Sequence, residues 1–430
     1  MSIAWQARTR SGTETVPHGW TVRRVGDLIA LTNGFPFPSE SFGPTGDIPL
    51  VRIRDLGDAP FETFVSGRVP VSALVRNGDV IIGMDGDFNL AIWRKGEAAL
   101  NQRLCALRPR PDVDIRFIAY FLPSSLKIIN DLTFSTTVKH LSSTDVLSER
   151  IALPPLPEQR RIADFLDAET ARIDRLIAAS QRQSDSMSER LTEFLRQMTT
   201  TAGDRVTMPT GIAWMPAMAA GWRLLKIGRS FTSGSGTTPR SSESAYFGGE
   251  HNWVNTGDLR DRVIERPNKT VTDRALAEYP TLKIYAPGSL VVAMYGATTG
   301  RVGILGVPAC VNQACCVLSE LGPLDSQYAF FWFRAHREEL LKLASGGGQP
   351  NISQDLVRSL RIPAPCRSVQ QEVVRRAIDL ETVTARQKAY QKRRADLLAE
   401  RRQALITAAV TGQFDVSTAG GRNVTEGITA

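Results

Sequence analysis

The sequence predicts an α+β fold in which two globular domains are joined by two long antiparallel helices, a coiled-coil rod with a pseudo-two-fold internal repeat. Three observations predict it. Ordered matches recur at an offset of 211 residues, each half opens with short β-rich runs between turn residues, and each half closes with a long helical apolar stripe.

The repeat is the strongest of the three. The offset takes Asn101-Gln102 to Asn312-Gln313, Cys105 to Cys316, Gln159 to Gln370 and Glu189-Arg190 to Glu400-Arg401. GDVIIGMDG from Gly78 resembles GSLVVAMYG from Gly288, and Ile3-Ala4-Trp5 with Gly19-Trp20 resembles Ile212-Ala213-Trp214 with Gly221-Trp222. Small changes of offset imply small insertions. A unit this long is too large for a solenoid repeat and reads as two copies of a domain plus a helix. The boundaries fall at 1–155 for the first globular domain, 156–200 for the central helix, 201–365 for the second domain and 366–415 for the C-terminal helix. Residues 416–430 read as a flexible tail.

Within each globular part, DVIIGM (79–84), SLVVAMY (289–295) and RVGILG (301–306) read as strands. FIAYFLPSSLKIIN (117–130) and QYAFFWFRAHREELLKLA (327–344) read as helices in matching positions, each over a curved sheet. The first long helix is expected from about Pro157 to Met198. Its stripe runs through Ile162, Leu166, Ile173, Leu176, Met187, Leu191, Leu195 and Met198. The second is expected from about Ser368 to Val410. Its stripe runs through Val373, Ala377, Ile378, Leu380, Val383, Tyr390, Leu397, Leu405 and Val410. The prolines of LPPLP (153–157) and IPAP (362–365) suit helix entrances, where a missing N–H costs nothing. Each helix would span ~60 Å, and two such helices in one chain are natural partners for each other.

Composition narrows the function. The chain has 430 residues, 42% hydrophobic and 22% charged, with a net charge of +8, which permits a polyanionic partner. No apolar run is long enough to cross a membrane and MSIAWQARTR lacks an apolar signal core, so a cytoplasmic location is the expectation. Five cysteines form no C-x-x-C pair and the four histidines are far apart, so neither a metal site nor a disulfide framework is expected. Gly234-Ser235-Gly236 and Gly346-Gly347-Gly348 do not follow a strand as a cofactor loop would. The only Pro-Pro, Pro154-Pro155, lies between leucines, and His336-Arg337-Glu338-Glu339 is not H-E-x-x-H. No catalytic residue is assigned. Two similar domains at a fixed separation suit a target with two similar parts, and half-sites on one face of duplex DNA recur every ~34–36 Å.

In this order the motifs resemble those of Type I restriction-modification DNA specificity subunits over nearly the whole chain. They are NGFPF (33–37), IPLVRIRDLG (48–57), LPPLPEQRRIADFLD (153–167), TSGSGTTPR (232–240), WVNTGDLR (253–260), GSLVVAMYGATTGRVGI (288–304), NQACCVL (312–318), GGQPNISQDL (347–356) and ALITAAVTGQFDV (404–416). The first half departs from the pattern at two places. Thr137-Val138-Lys139-His140-Leu141-Ser142 replaces the Pro-Asn-Ile-Ser motif, and Asp85-Gly86-Asp87 stands where the second half has Tyr295-Gly296-Ala297.

The resemblance implies a non-catalytic subunit whose two target-recognition domains each read one half of an asymmetric split site in double-stranded DNA. It implies helices that dock two modification subunits, which bind S-adenosylmethionine and methylate adenine. It also implies restriction/translocase subunits that use ATP and Mg, with no cofactor on this chain and no membrane. Base edges and phosphates are reached by Arg, Lys, Asn, Gln and Thr on exposed loops. The candidates are Arg52, Arg54, Asn89, Arg94, Lys139 and His140 in the first domain. In the second they are Arg240, Arg260, Arg262, Tyr295, Thr298, Thr299, Arg301, Gln349 and Asn351. The competing reading of each is a solvated surface or turn residue. Asn101, Gln102, Asn312 and Gln313 recur in both halves and are expected to brace the sheet, since residues that read different sequences should differ. Three other readings stay open: a protein-only scaffold, a silent specificity copy and a self-contained DNA methyltransferase. The last would need the absent cofactor motifs.

Overall fold

A computed structural model describes residues 5–9, 12–57, 59–132, 139–344 and 351–418. Gln349 lies outside the described residues, as does the expected tail from residue 419 onward. Val416, assigned to that tail, is instead buried in a core.

The main strands in chain order are β1 (Ile29–Asn33), β2 (Val80–Gly83), β3 (Leu90–Ile92), β4 (Leu104–Pro109), β5 (Phe231–Ser235), β6 (Arg262–Ile264), β7 (Leu290–Ala293), β8 (Val302–Leu305) and β9 (Cys315–Glu320). The helices are α1 (Ile115–Leu132), α2 (Ser143–Ser148), α3 (Leu156–Thr200), α4 (Ser326–Ala335), α5 (Arg337–Lys342), α6 (Gln354–Ser359) and α7 (Arg367–Val410). The chain divides into two compact units, residues 1–179 with 394–430, and residues 180–393. Each unit therefore takes one globular part, one portion of α3 and one portion of α7.

In the first unit an antiparallel sheet runs β3-β2-β4-β1, with Ile82 opposite Cys105 and Val80 opposite Leu107. In the second the order is β5-β9-β7-β8-β6, with Val292 opposite Cys316 and Leu290 opposite Leu318. The repeat in sequence is thus a repeat in strand register. β2 and β7 are buried at every position because their two faces serve two cores. Val80 and Ile82 pack with Phe117 and Leu122 of α1, whereas Ile81 packs with Trp93, Leu104 and Ala106. Leu290 and Val292 pack with Tyr328 and Trp332 of α4, whereas Val291 and Ala293 pack with Val254 and Val311. This double burial explains why both strands read as unbroken apolar runs.

The single helix expected over 327–344 is two. His336, at φ −111° and ψ 19°, interrupts it, with its ring against Trp214 and Trp332 at centroid distances of 5.4 and 5.1 Å.

The long helices are present as expected, and their portions run antiparallel within each unit. In the first, Asp174 pairs with Arg402 at 3.0 Å and Phe165 meets Phe414 at 5.7 Å between ring centroids. Ile162 and Leu166 there share a core with Leu405, Ile406 and Val410. In the second, Lys388 Nζ donates to Ser188 Oγ at 2.8 Å, and the Arg376 guanidinium lies over Phe194 at 5.8 Å. Leu195 and Met198 share a core with Val373, Val374 and Ala377. Not all of the expected stripe is covered: Ile378, Val383, Tyr390 and Leu397 are exposed.

Candidate nucleic-acid interface

In each unit three chain segments converge on one corner of the main sheet. In the first unit they are the β2–β3 loop, the turn before β4 and the stretch entering α2. Met84 N donates to Arg103 O at 2.9 Å and Leu141 N to Met84 O at 2.7 Å, which bridges Asp85 to His140. In the second they are the β7–β8 loop, the turn before β9 and the stretch entering α6. Met294 N donates to Ala314 O at 2.8 Å and Ile352 N to Met294 O at 2.7 Å, which bridges Tyr295 to Asn351.

The local sequence explains why both corners form. Leu141 and Ile352 are buried anchors. The hydroxyls of Ser142 and Ser353, one residue on, accept from Asp145 N and Leu356 N at 3.1 Å and cap α2 and α6. The anchor-and-serine pair fixes the stretch, so the residue before it, His140 or Asn351, is held exposed at the tip. Opposite it the loop turns back at Gly86 (φ 78°) or Gly296 (φ 90°), a left-handed conformation that a side chain would strain. Asn101 and Asn312 close the third segment, their Oδ1 atoms accepting from Arg103 N at 3.2 Å and Ala314 N at 3.1 Å. Their recurrence is thus one of turn geometry. Gln102 and Gln313 are exposed.

The same scaffold carries different chemistry in the two units. In the first, His140 Nδ1 is 2.8 Å from Asp85 Oδ1, and Arg103 Nε is 3.6 Å from Asp85 Oδ2. Lys139 Nζ donates to Asn130 O at 2.6 Å and to its Oδ1 at 3.0 Å. This corner is a charged cluster. In the second the bridged pair is a phenol and an amide, beside Thr298 and the exposed Arg301. Burial raises the Tyr295 pKa above that of a free phenol, so the hydroxyl is both donor and acceptor at neutral pH.

The remaining candidates divide by exposure. Arg54, Asn89, Arg94, Arg240, Arg260 and Arg262 are exposed. Arg54 lies 3.9 Å from Glu62, and Arg260 Nε donates to Gly257 O at 3.2 Å. Arg52 is turned inward, its Nε 3.1 Å from the buried carboxylate of Asp55. Thr299, expected on an exposed loop, is buried, with Oγ1 donating to Gly296 O at 2.7 Å within the turn. The corners also hold Asp85, Arg103 and Asn130, which were not among the candidates. Arg103 carried a usable signal, since it follows the recurring Asn101-Gln102, whereas Asn130 at the end of α1 carried none.

No helix among the described residues is long and apolar enough to cross a membrane, and no group of three or more His, Cys, Asp or Glu is placed to hold a metal ion.

Residues 17–182 and 220–392 match the family described as the Type I restriction modification DNA specificity domain. The chain is 40% identical over 166 residues to the type I restriction enzyme EcoBI specificity subunit of Escherichia coli, covering 38% of this chain and 35% of that relative. That match spans about a third of the relative's length. Similarity to the MjaVIII specificity subunit of Methanocaldococcus jannaschii is lower, 21% over 381 residues, and covers 86% and 87% of the two chains. A solved chain from work on the complex assembly and conformational transition of the type I R-M system superimposes with a TM-score of 0.71 at 20% identity. It covers 93% of this chain and 99% of that one, a similarity of fold.

Proposed function

The chain belongs to the Type I restriction-modification DNA specificity family, and from that premise we propose that it reads a bipartite, asymmetric DNA site and leaves catalysis to partner subunits. The observation that carries this reading is the pair of corners. One backbone scaffold, built twice, presents Asp85 and His140 in one unit and Tyr295 and Asn351 in the other. A protein that bound the same half-site twice would need the same side chains twice. Asn351 has the amide geometry for an adenine edge, and Arg301 for a guanine edge or a phosphate. Lys139, Arg54, Asn89, Arg94, Arg240, Arg260 and Arg262 would supply further base or phosphate contacts.

The partners are two modification subunits, which carry S-adenosylmethionine, and restriction/translocase subunits, which use ATP and Mg. Val383 and Tyr390 support a helical docking surface. They stand one heptad apart on α7, both exposed, as a seam awaiting another helix would be.

The test is methylation sequencing of DNA from cells that express the modification subunit with and without this chain. The expected result is a split motif with a fixed gap that depends on the chain. An assembled complex that yields no chain-dependent motif would overturn the reading in favour of a silent copy or a protein-only scaffold.

A further inference from the structure

Strand β6 gives the second unit something the first lacks. It lies parallel to β8 at the edge of the sheet, with Arg262 opposite Gly303 and Ile264 opposite Leu305. In the first unit the corresponding strand, β3, is itself the edge of its sheet among the described residues. The segment carrying β6 frames an open recess lined by Arg260, Arg262 and Arg266 together with Asp258, Glu265 and Asn268.

The arginines of that recess have no acidic partner among the described residues. Among the described residues, Arg260, Arg262 and Arg266 enter no ion pair, and Arg262 and Arg266 make no side-chain hydrogen bond. The Asp258 carboxylate is buried and accepts from Asn255 N at 3.0 Å and from Asn268 N at 3.3 Å. It closes its own turn and does not hold the arginines. Three guanidinium groups therefore face two carboxylates, one of them buried. The recess also adjoins the corner: Asp261 N donates to Val302 O at 2.9 Å, which sets Arg260 and Arg262 beside the loop that ends in the exposed Arg301.

In the matching segment of the first unit the arginines have acidic neighbours. Arg52 is paired with Asp55 and Arg54 lies near Glu62. Lys95 Nζ donates to Asp55 O at 3.2 Å and Ala59 O at 2.9 Å. The short helix there, Ile53–Leu56, is capped as the one at Thr256–Asp258 is, but Arg52 stands where the second unit has Asn255. That one exchange gives the buried carboxylate a cation in the first unit, whereas in the second Asp258 is held by the main-chain N–H groups of Asn255 and Asn268.

We propose that the Arg260–Arg262–Arg266 recess is a sequence-independent clamp for DNA backbone phosphates, built only into the second half, so that the two halves contribute unequally to affinity. The proposal rests on the DNA-reading function above. A guanidinium fork matches two phosphate oxygens and sheds its hydration readily. Each neutralised phosphate releases counterions, so the clamp is written into the salt dependence of binding.

The experiment uses the complex of the full chain with its modification subunits. Binding is measured from 50 to 200 mM salt, on a duplex carrying the methylated motif and on a scrambled duplex of the same length. The variant Arg262→Gln/Arg266→Gln should lose affinity for both duplexes by the same factor. Its slope of log K against log salt should flatten by about 1.8, at about 0.9 per phosphate. Arg262→Lys/Arg266→Lys should keep the parent slope, because the slope counts phosphates neutralised and a lysine carries the same charge. An unchanged slope in the Gln variant, or a loss confined to the motif duplex, would overturn the clamp while leaving the DNA reading intact. A parent complex that binds neither duplex would overturn both.

Discussion

Gln159 and Gln370 hold the same three main-chain groups at the entrances of the two long helices. Gln159 Oε1 accepts from Asp114 N at 2.9 Å, and its Nε2 donates to Pro154 O and Asp112 O at 2.8 and 3.2 Å. Gln370 Oε1 accepts from Asp325 N at 2.8 Å, and its Nε2 donates to Pro365 O and Pro323 O, both at 2.9 Å. Both side chains are buried. Each one ties the start of a long helix to the start of the helix beneath the sheet, α1 or α4.

Replacing either glutamine with leucine keeps the bulk and strands one amide and two carbonyls. A buried polar group without a partner costs about 1–3 kcal/mol, and local rearrangement recovers part of that. Gln370→Leu is expected to lower stability by ~2–4 kcal/mol, read as a fall in the urea midpoint with an unchanged slope. A midpoint equal to the parent's would show that the bracket is dispensable.

His336 couples stability to pH. It is buried between Trp214 and Trp332, and neither ring nitrogen has a hydrogen-bond partner among the described residues. Burial, with help from the Arg196 charge, pushes its pKa down to about 3. The unfolded chain binds this proton near pH 6.5 and the folded chain only near 3, so between those values the unfolded state holds more protons and stability falls as pH falls. The loss is at most about 1.4 kcal/mol per pH unit in that window. His336→Phe should flatten the dependence between pH 6 and 4 relative to the parent. Parallel pH curves for the two proteins would exclude His336 as the source.

The thiols should divide one to four. Burial pushes Cys105 and Cys316 up to about 12 and Cys310 up to about 11, and raises Cys315 as well. Cys366 is exposed, and the Ser368 hydroxyl 3.2 Å from its sulfur lowers its pKa. Because the thiolate is the reactive form, a thiol reagent at pH 8 should titrate one group per folded chain and five in denaturant. Ser368→Ala should slow the fast group. More than one fast thiol in the folded chain would mean that the strand cysteines are accessible.

What was legible in the sequence was whatever repeats or keeps a period. The offset between Cys105 and Cys316 became a shared strand register, and the helical stripes became α3 and α7. The motif around Asn351 was legible as a pattern, but its division of labour was not. Ile352 and Ser353 anchor and cap, and only the residue before them is presented. Pairing of charges was illegible, because Arg52 meets Asp55 only once a short helix forms between them. Val383 and Tyr390 show the limit of periodicity itself. A stripe announces an apolar face and does not say whether the chain covers it.

The corners give the most direct prediction about specificity. His140 and Asp85 belong wholly to the first unit, Asn351 and Tyr295 wholly to the second. If each corner reads its own half-site, Asn351→Ala should relax or abolish one half of the methylated motif and leave the other half and the gap unchanged. A lost bidentate base contact costs about 1–3 kcal/mol, roughly ten- to a hundredfold in discrimination. His140→Ala should do the same to the opposite half. Exchanging residues 218–365 for those of another family member should replace one half-site outright. Methylation sequencing reads all three. If a substitution in one unit altered both halves of the motif, the two domains could not be reading independently. The repeated corner would then be a structural device whose side chains matter through the fold.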